Sequence, residues 1–410
     1  MSAWRFLVAL AFSTSSQIPR LLGNPLPSPS ATEGVSSGLR VAELVAATPV
    51  FLAAGPASAP APPVAVPQVW ASHGVEYAET DSLAACRLPN GSVRIFATAK
   101  RGDRLDIFDA RDGRWLRSVG RTGRGPGEFR YPNGVAVIHF PRGTVAHAPP
   151  PTGEPQSAAT ALDPRPVVVV VERDNHRVQA LDAETGRTLG TFGESDLHRP
   201  YGVAVSYQGD EVHLYVTDTR VPPEQTVKQF AMTLGGDTAT GRLVRSFGAP
   251  DGAGAIGEAE SIVVDDRRDR VYLCDEDRKN VKIYTRNGDF AGRTIADGVI
   301  RGDPEGIVLY EGPTGPWLIV TDQRPEATVW HVFDGDTLAP IGRFTGTPPI
   351  ANTDGICLCP GPVGACAAGL LLAVHDDREV RAYCLDDVRK ALPIAGTTPA
   401  DRSKPPSRTP

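Results

Sequence analysis

Six times along the 410 residues the chain repeats one short pattern: a polar residue, usually a glycine, and then about four apolar residues. The polar positions are Asp81, Asn133, Tyr201, Glu260, Glu305 and Asp354, at successive spacings of 52, 68, 59, 45 and 49 residues. The widest spacing contains the Pro-rich stretch 141–166, which reads as a surface insertion. Each apolar run is followed by a turn and a second apolar run. Third and fourth runs follow in several copies, joined by Asp112-Gly113, Thr185-Gly186, Asn287-Gly288 or Asp334-Gly335. Asp/Asn-Gly pairs between short β-rich segments are hairpin turns. A period near 50 built from four short strands predicts an all-β chain folded as a six-bladed β-propeller over residues 68–392. Residues 1–67 read as a signal-like or disordered leader, and 393–410 as a disordered tail. Helical folds are excluded because Gly and Pro interrupt every window of helical spacing. A β-sandwich accounts for alternating strands but not for their recurrence unit by unit.

Composition narrows the function. A formal net charge of −6 gives no basic face for nucleic acid. The apolar runs 6–12 and 45–59 are too short for an ordinary membrane span. The second, with Arg40 upstream and small residues after it, resembles a signal-peptide core; Glu43 and Pro49 count against that. The expectation is a secreted or periplasmic protein, with a disordered leader as the competing reading. Among six cysteines, Cys357, Cys359, Cys366 and Cys384 cluster at spacings unlike those of a zinc finger or ribbon. A disulfide such as Cys359–Cys366 suits export; buried free thiols are the alternative.

In a propeller the first strand of each blade lines the axis, so the repeated polar positions form a ring. Asp81, Glu260, Glu305 and Asp354 occupy four of the six places, and Glu276 ends the strand beside the one that Glu260 opens. Carboxylates this close repel, and hard divalent cations relieve the repulsion. The ring is therefore read as a calcium (Ca2+) cluster. Ordinary turn chemistry, in which Asp-Gly and Glu-Gly merely start strands, is the competing reading.

Two resemblances accompany these residues. "RTGRGPGEFRYPNGVAV" (121–137) resembles an NHL repeat, which bears on fold alone. "GEAESIVVDDRRDRVYLCDED", "DPEGIVLYEGPTGPWLIVTDQ" and "NTDGICL…LLLAVHDD" resemble the β-propeller phytases, within a likeness over about residues 70–390 that is weak in its first half. That resemblance implies calcium ligands at Glu260, Glu276, Glu305 and Asp354, with Asp81 near the first-blade acid. It implies phosphate contacts at Lys100, Arg101 and Tyr201. A second-blade arginine has no counterpart in the "NGVAV" strand, although Arg130 lies just before it. The third-blade lysine position holds Thr219, with Arg220 adjacent.

The expected activity is a calcium-dependent phosphomonoesterase of 3-phytase type acting on myo-inositol hexakisphosphate. The partner would be a phosphorylated small molecule, the inositol phosphate as its calcium salt, bound by a monomer. The acids would hold metal that activates water. Lys100, Arg101 and Arg220 would bind phosphate oxygens, and Tyr201 would donate a hydrogen bond. Lys100 and Arg101 can equally be solvated turn residues, and His375-Asp376 a strand end rather than an acid/base pair. The rivals are a non-catalytic NHL-like propeller, with structural calcium, that binds protein or carbohydrate, and a lactonase-like propeller with one calcium.

Overall fold

The computed structural model describes residues 62–140, 165–312 and 315–392. The two leader runs, the C-terminal tail and most of the Pro-rich insertion lie outside the described residues. The first strand, β1 (Val64–Ala71), begins ahead of the expected boundary at 68. Four antiparallel meanders follow. They are β2–β5 (Thr80–Arg87, Val93–Ala99, Arg104–Asp109, Trp115–Val119) and β6–β9 (Pro132–Ile138, Val167–Glu172, Arg177–Asp182, Thr188–Phe192). Next come β10–β13 (Pro200–Gln208, Glu211–Asp218, Val227–Gly235, Thr238–Phe247) and β14–β17 (Ala259–Asp265, Arg270–Asp275, Asn280–Tyr284, Phe290–Ile295). An eight-stranded sheet completes the chain. One half is the meander β18–β21 (Ile307–Gly312, Gly315–Asp322, Val329–Asp334, Pro340–Thr347). The other is β22–β24 (Ile356–Pro360, Gly369–His375, Glu379–Cys384) with β1 as its fourth strand. β1 runs antiparallel to β24 and parallel to β21, fusing the two halves. A short helix, α1 (Leu385–Ala391), follows.

These four-stranded units, numbered one to six in chain order, are arranged like a propeller. β2 packs beside β6, β6 beside β10, and so on through β14, β18 and β22, which returns to β2. Each neighbouring pair of units shares its own cluster of buried apolar side chains. The run Val167–Val171 shows why. Alternate residues of a strand face opposite sides. Val167, Val169 and Val171 pack toward the third unit, and Val168 and Val170 toward the first. Both sheet faces are buried, so the run is valine throughout. At the axis, first-strand residues such as Leu83, Val135, Val203 and Ile262 line a cavity of ≈ 300 Å³. No helix among the described residues is long and apolar enough to cross a membrane.

The cysteines pair differently from the expectation. The disulfide joins Cys366 to Cys384, and Cys359 is buried and free, as are Cys86, Cys274 and Cys357. Val363 and Cys366 exchange backbone hydrogen bonds of 3.1 and 3.0 Å. That tight turn sets Cys366 against the end of β24, with a Cα–Cα distance of 5.4 Å to Cys384.

Candidate functional site

Two positions in each unit reach the same end of the ring: the residue at the mouth of the first strand and the residue following the second. Antiparallel pairing sets them side by side. In units one to four the residue before the mouth pairs with the last residue of the second strand, as Thr80 does with Ala99 and Ala259 with Asp275. The register slips immediately afterwards. Such irregularities re-aim a side chain out of the ladder. The mouths are Asp81, Asn133, Tyr201, Glu260, Glu305 and Asp354; the second series is Lys100, Arg173, Thr219, Glu276, Gln323 and Asp376.

The mouths also touch around the ring. A Cβ on Gly134 would lie 2.5 Å from the Tyr201 carbonyl oxygen, one on Gly202 2.5 Å from that of Glu260, and one on Gly355 2.2 Å from that of Asp81. Glycine is required because backbone meets backbone. In the fourth unit Ser261 takes this place and donates its hydroxyl to the Glu305 carbonyl.

The fourth and fifth units gather acids. Carboxylate oxygens of Glu258, Glu260 and Glu276 lie within 4.8 Å of one another, as do those of Glu276, Asp303 and Glu305, so Glu276 belongs to both groups. Glu260 is 4% exposed and its Oε2 has no hydrogen-bond partner. Burial, and then repulsion from Glu305 and Glu276, holds its pKa well above the ordinary carboxylate range. Burial, with Glu276 and Asp81, pushes Glu305 up to about 8. An all-oxygen donor set with surplus negative charge and an unpartnered buried oxygen fits a hard divalent cation.

The opposite side is charge-balanced. Lys100 Nζ lies 2.6 Å from Asp81 Oδ1 and 3.8 Å from Asp354 Oδ2, and it donates to Tyr201 Oη at 3.1 Å. Burial works against the ammonium charge, but Asp81 and Asp354 together hold its pKa above the ordinary lysine value. Burial, and then Asp81, pushes Asp354 up to about 9; its Oδ1 accepts from Gln323 Nε2. Tyr201, raised first by burial and then by Asp81 and the other mouth acids, keeps its phenol proton. Nearby, the Arg173 guanidinium lies 3.3 Å from the centroid of the Tyr131 ring and pairs with Asp174 at 2.7 Å.

The nine residues singled out from the sequence thus divide. Glu260, Glu276 and Glu305 form one group, while Asp81 and Asp354 gather on Lys100 with Tyr201 instead of joining the other acids. Arg101 has a side chain 75% exposed and pairs with Glu79. Arg220 is exposed and borders a cavity of ≈ 290 Å³ with Thr219 and Glu258. His375 Nδ1 bonds the Ala351 backbone, a strand-end role. Sequence reasoning missed Glu258, Asp303, Gln323 and Arg173. Arg173 stands where Lys100 stands in the first unit, so the second unit does place an arginine at the mouth face. Arg130, considered for that role, is exposed, and its backbone N–H donates to Glu172.

No protein-family model and no curated protein matches the chain. Among solved structures it is similar to regucalcin, a calcium-binding protein from Agrobacterium tumefaciens, at 12% identity and a TM-score of 0.46, covering 78% of this chain and 95% of that one. It is also similar to a protein of unknown function from Bacteroides thetaiotaomicron, at 14% identity and a TM-score of 0.47, covering 76% of this chain and 70% of that one.

Proposed function

We propose that the chain is a six-bladed β-propeller acting, after export, as a calcium-dependent phosphomonoesterase of phytase type on inositol phosphates. One observation carries this reading: a surplus of clustered, partly buried carboxylates lies across one mouth from a cation and a phenol. Glu258, Glu260, Glu276, Asp303 and Glu305 would hold the metal. Bound there, calcium supplies charge neutralisation and a water of lowered pKa. Lys100 would bind a phosphate oxygen, exchanging part of its pairing with Asp81 for the substrate. Tyr201, kept protonated, would donate to another oxygen. Arg173, stacked on Tyr131, offers a planar donor for a third. Phosphate release from inositol hexakisphosphate, measured with and without calcium between about pH 5 and pH 9, tests it. Release only with calcium supports the reading, and no release in any condition overturns it.

A second reading is a non-catalytic propeller with structural calcium. The 2.6 Å Lys100–Asp81 pair favours it, because that cation is already neutralised. Calcium binding without phosphate release would select this reading.

A further inference from the structure

In every unit the third strand carries polar residues at its mouth end, on one face of the sheet. In five units they are paired. Arg104 meets Asp106 at 2.8 Å, and Ser118 also donates to Asp106. Arg177 and Gln179 both donate to Glu172, at 2.7 and 3.2 Å. Lys228 donates to Gln225 at 3.0 Å, while Asp218 accepts from the backbone of His198 and Arg199. His331 Nε2 lies 3.2 Å from Asp322, and Arg381 donates to Glu379 at 2.9 Å.

The fourth unit breaks the rule. Asp275 stands opposite Asn280, and Lys282 lies two residues further along the same face, opposite Thr294. Asp275, Asn280 and Lys282 are 0%, 5% and 3% exposed. Asp275 Oδ1 accepts from the backbone of Gly257 and Arg278, at 3.1 and 3.3 Å, and Asn280 Nδ2 donates to Asp297 at 3.5 Å. Yet Asp275 Oδ2 and Asn280 Oδ1 have no hydrogen-bond partner, and Lys282 forms no ion pair among the described residues. Asn280, Lys282 and Thr294 line a cavity of ≈ 480 Å³ under the loop containing Ala253 and Gly257, with Asp277, Arg278 and Asp297 at its edge. Buried polar groups left unpaired are costly, and here Asn280 Oδ1 and the Lys282 ammonium remain so on the cavity wall.

We propose that this cavity binds a small zwitterion of the α-amino acid type. Its ammonium group satisfies Asn280 Oδ1 and faces Asp297, and its carboxylate pairs with Lys282 and reaches Arg278. A simple anion would meet Asp277 and Asp297, and a simple cation would meet Lys282 and Arg278. Only a ligand carrying both charges answers both sets. The site lies outside the acid cluster and stands independently of any phosphatase activity.

The test titrates the full chain, with calcium present, with glycine, L-alanine and L-glutamate, and in parallel with glycerol, inorganic phosphate and ethylammonium. Calorimetry and thermal unfolding are the readouts. At least one amino acid is expected to bind saturably and raise the unfolding temperature, with the three controls weaker by tenfold or more. Lys282→Met should weaken that binding at least tenfold; if the variant does not fold, Thr294→Val at the cavity wall should alter affinity instead. No amino-acid binding, equal binding of a control, or binding untouched in the folded variant would overturn the proposal and leave water as the occupant.

Discussion

The two sides of the mouth are built on one four-strand plan and differ chiefly in side chains. In the fourth unit both series of positions carry acids, the fifth adds Glu305 and Asp303, and Glu260 ends with a buried oxygen that has no hydrogen-bond partner among the described residues. In the first unit the second position carries Lys100, and Asp81 is paired. The first arrangement requires something from outside the chain, whereas the second is complete and must be opened to act. Under the proposed function, the difference would put metal binding on one side and phosphate binding on the other.

The largest effect should come from breaking the paired side. Lys100→Met leaves Asp81 buried without its cation, a loss of about 3–5 kcal/mol in unfolding free energy, measurable by chemical denaturation. Under the enzyme reading the same variant should lose about 10²–10³-fold in turnover, and Lys100→Arg should restore stability more than activity. If Lys100→Met is as stable as the parent, the two sides do not differ as described.

On the acid side, Glu305→Gln should remove most of the stabilisation that calcium confers. A one-site ligand at a hundredfold excess over its Kd contributes about 2.7 kcal/mol. Differential scanning with and without calcium checks this: a variant whose calcium response equals the parent's would remove Glu305 from the metal site.

The pH response should separate metal-free from calcium-loaded protein. Glu305 and Asp354 titrate near 8 and 9 in the folded chain, far above their ordinary values of 4.5 and 3.8. The folded state therefore retains protons that the unfolded chain has released. Stability contributed by these groups is full below their ordinary values and declines as pH rises toward 8 and 9. Calcium should flatten this decline, and a metal-free melting temperature that rises over that interval would contradict it. The smallest effect is expected at Arg101, whose exposed pair with Glu79 is worth about 0–1 kcal/mol; Arg101→Ala should barely change stability.

The repeat was legible in the sequence because each mouth is followed by apolar residues, usually after a glycine, and steric contact between neighbouring mouths demands that small residue. The acids at those mouths were legible for the same reason. Glu258 and Asp303 were not, since they precede their strands in loops of differing length. Arg173 carried a usable signal: it follows its second strand directly, as Lys100 does, but the long insertion hid the register. The split of the acids into a carboxylate cluster and a lysine-bound pair depends on which side chains the closed ring brings together, and spacing alone is silent on that. The Cys366–Cys384 pairing likewise depends on a turn that no cysteine spacing encodes.

The strand β1 has a consequence in time. It comes from the start of the described chain, yet pairs with β24 near its end, and Thr80 N–H bonds Asp377 across the same seam at 2.8 Å. A ribosome delivers Lys100 and Asp81 long before Asp354. During synthesis the mouth is therefore a crescent, with its lysine waiting on a single acid. Only when β24 emerges can the circle be latched, so the site waits on a strand made about three hundred residues after β1.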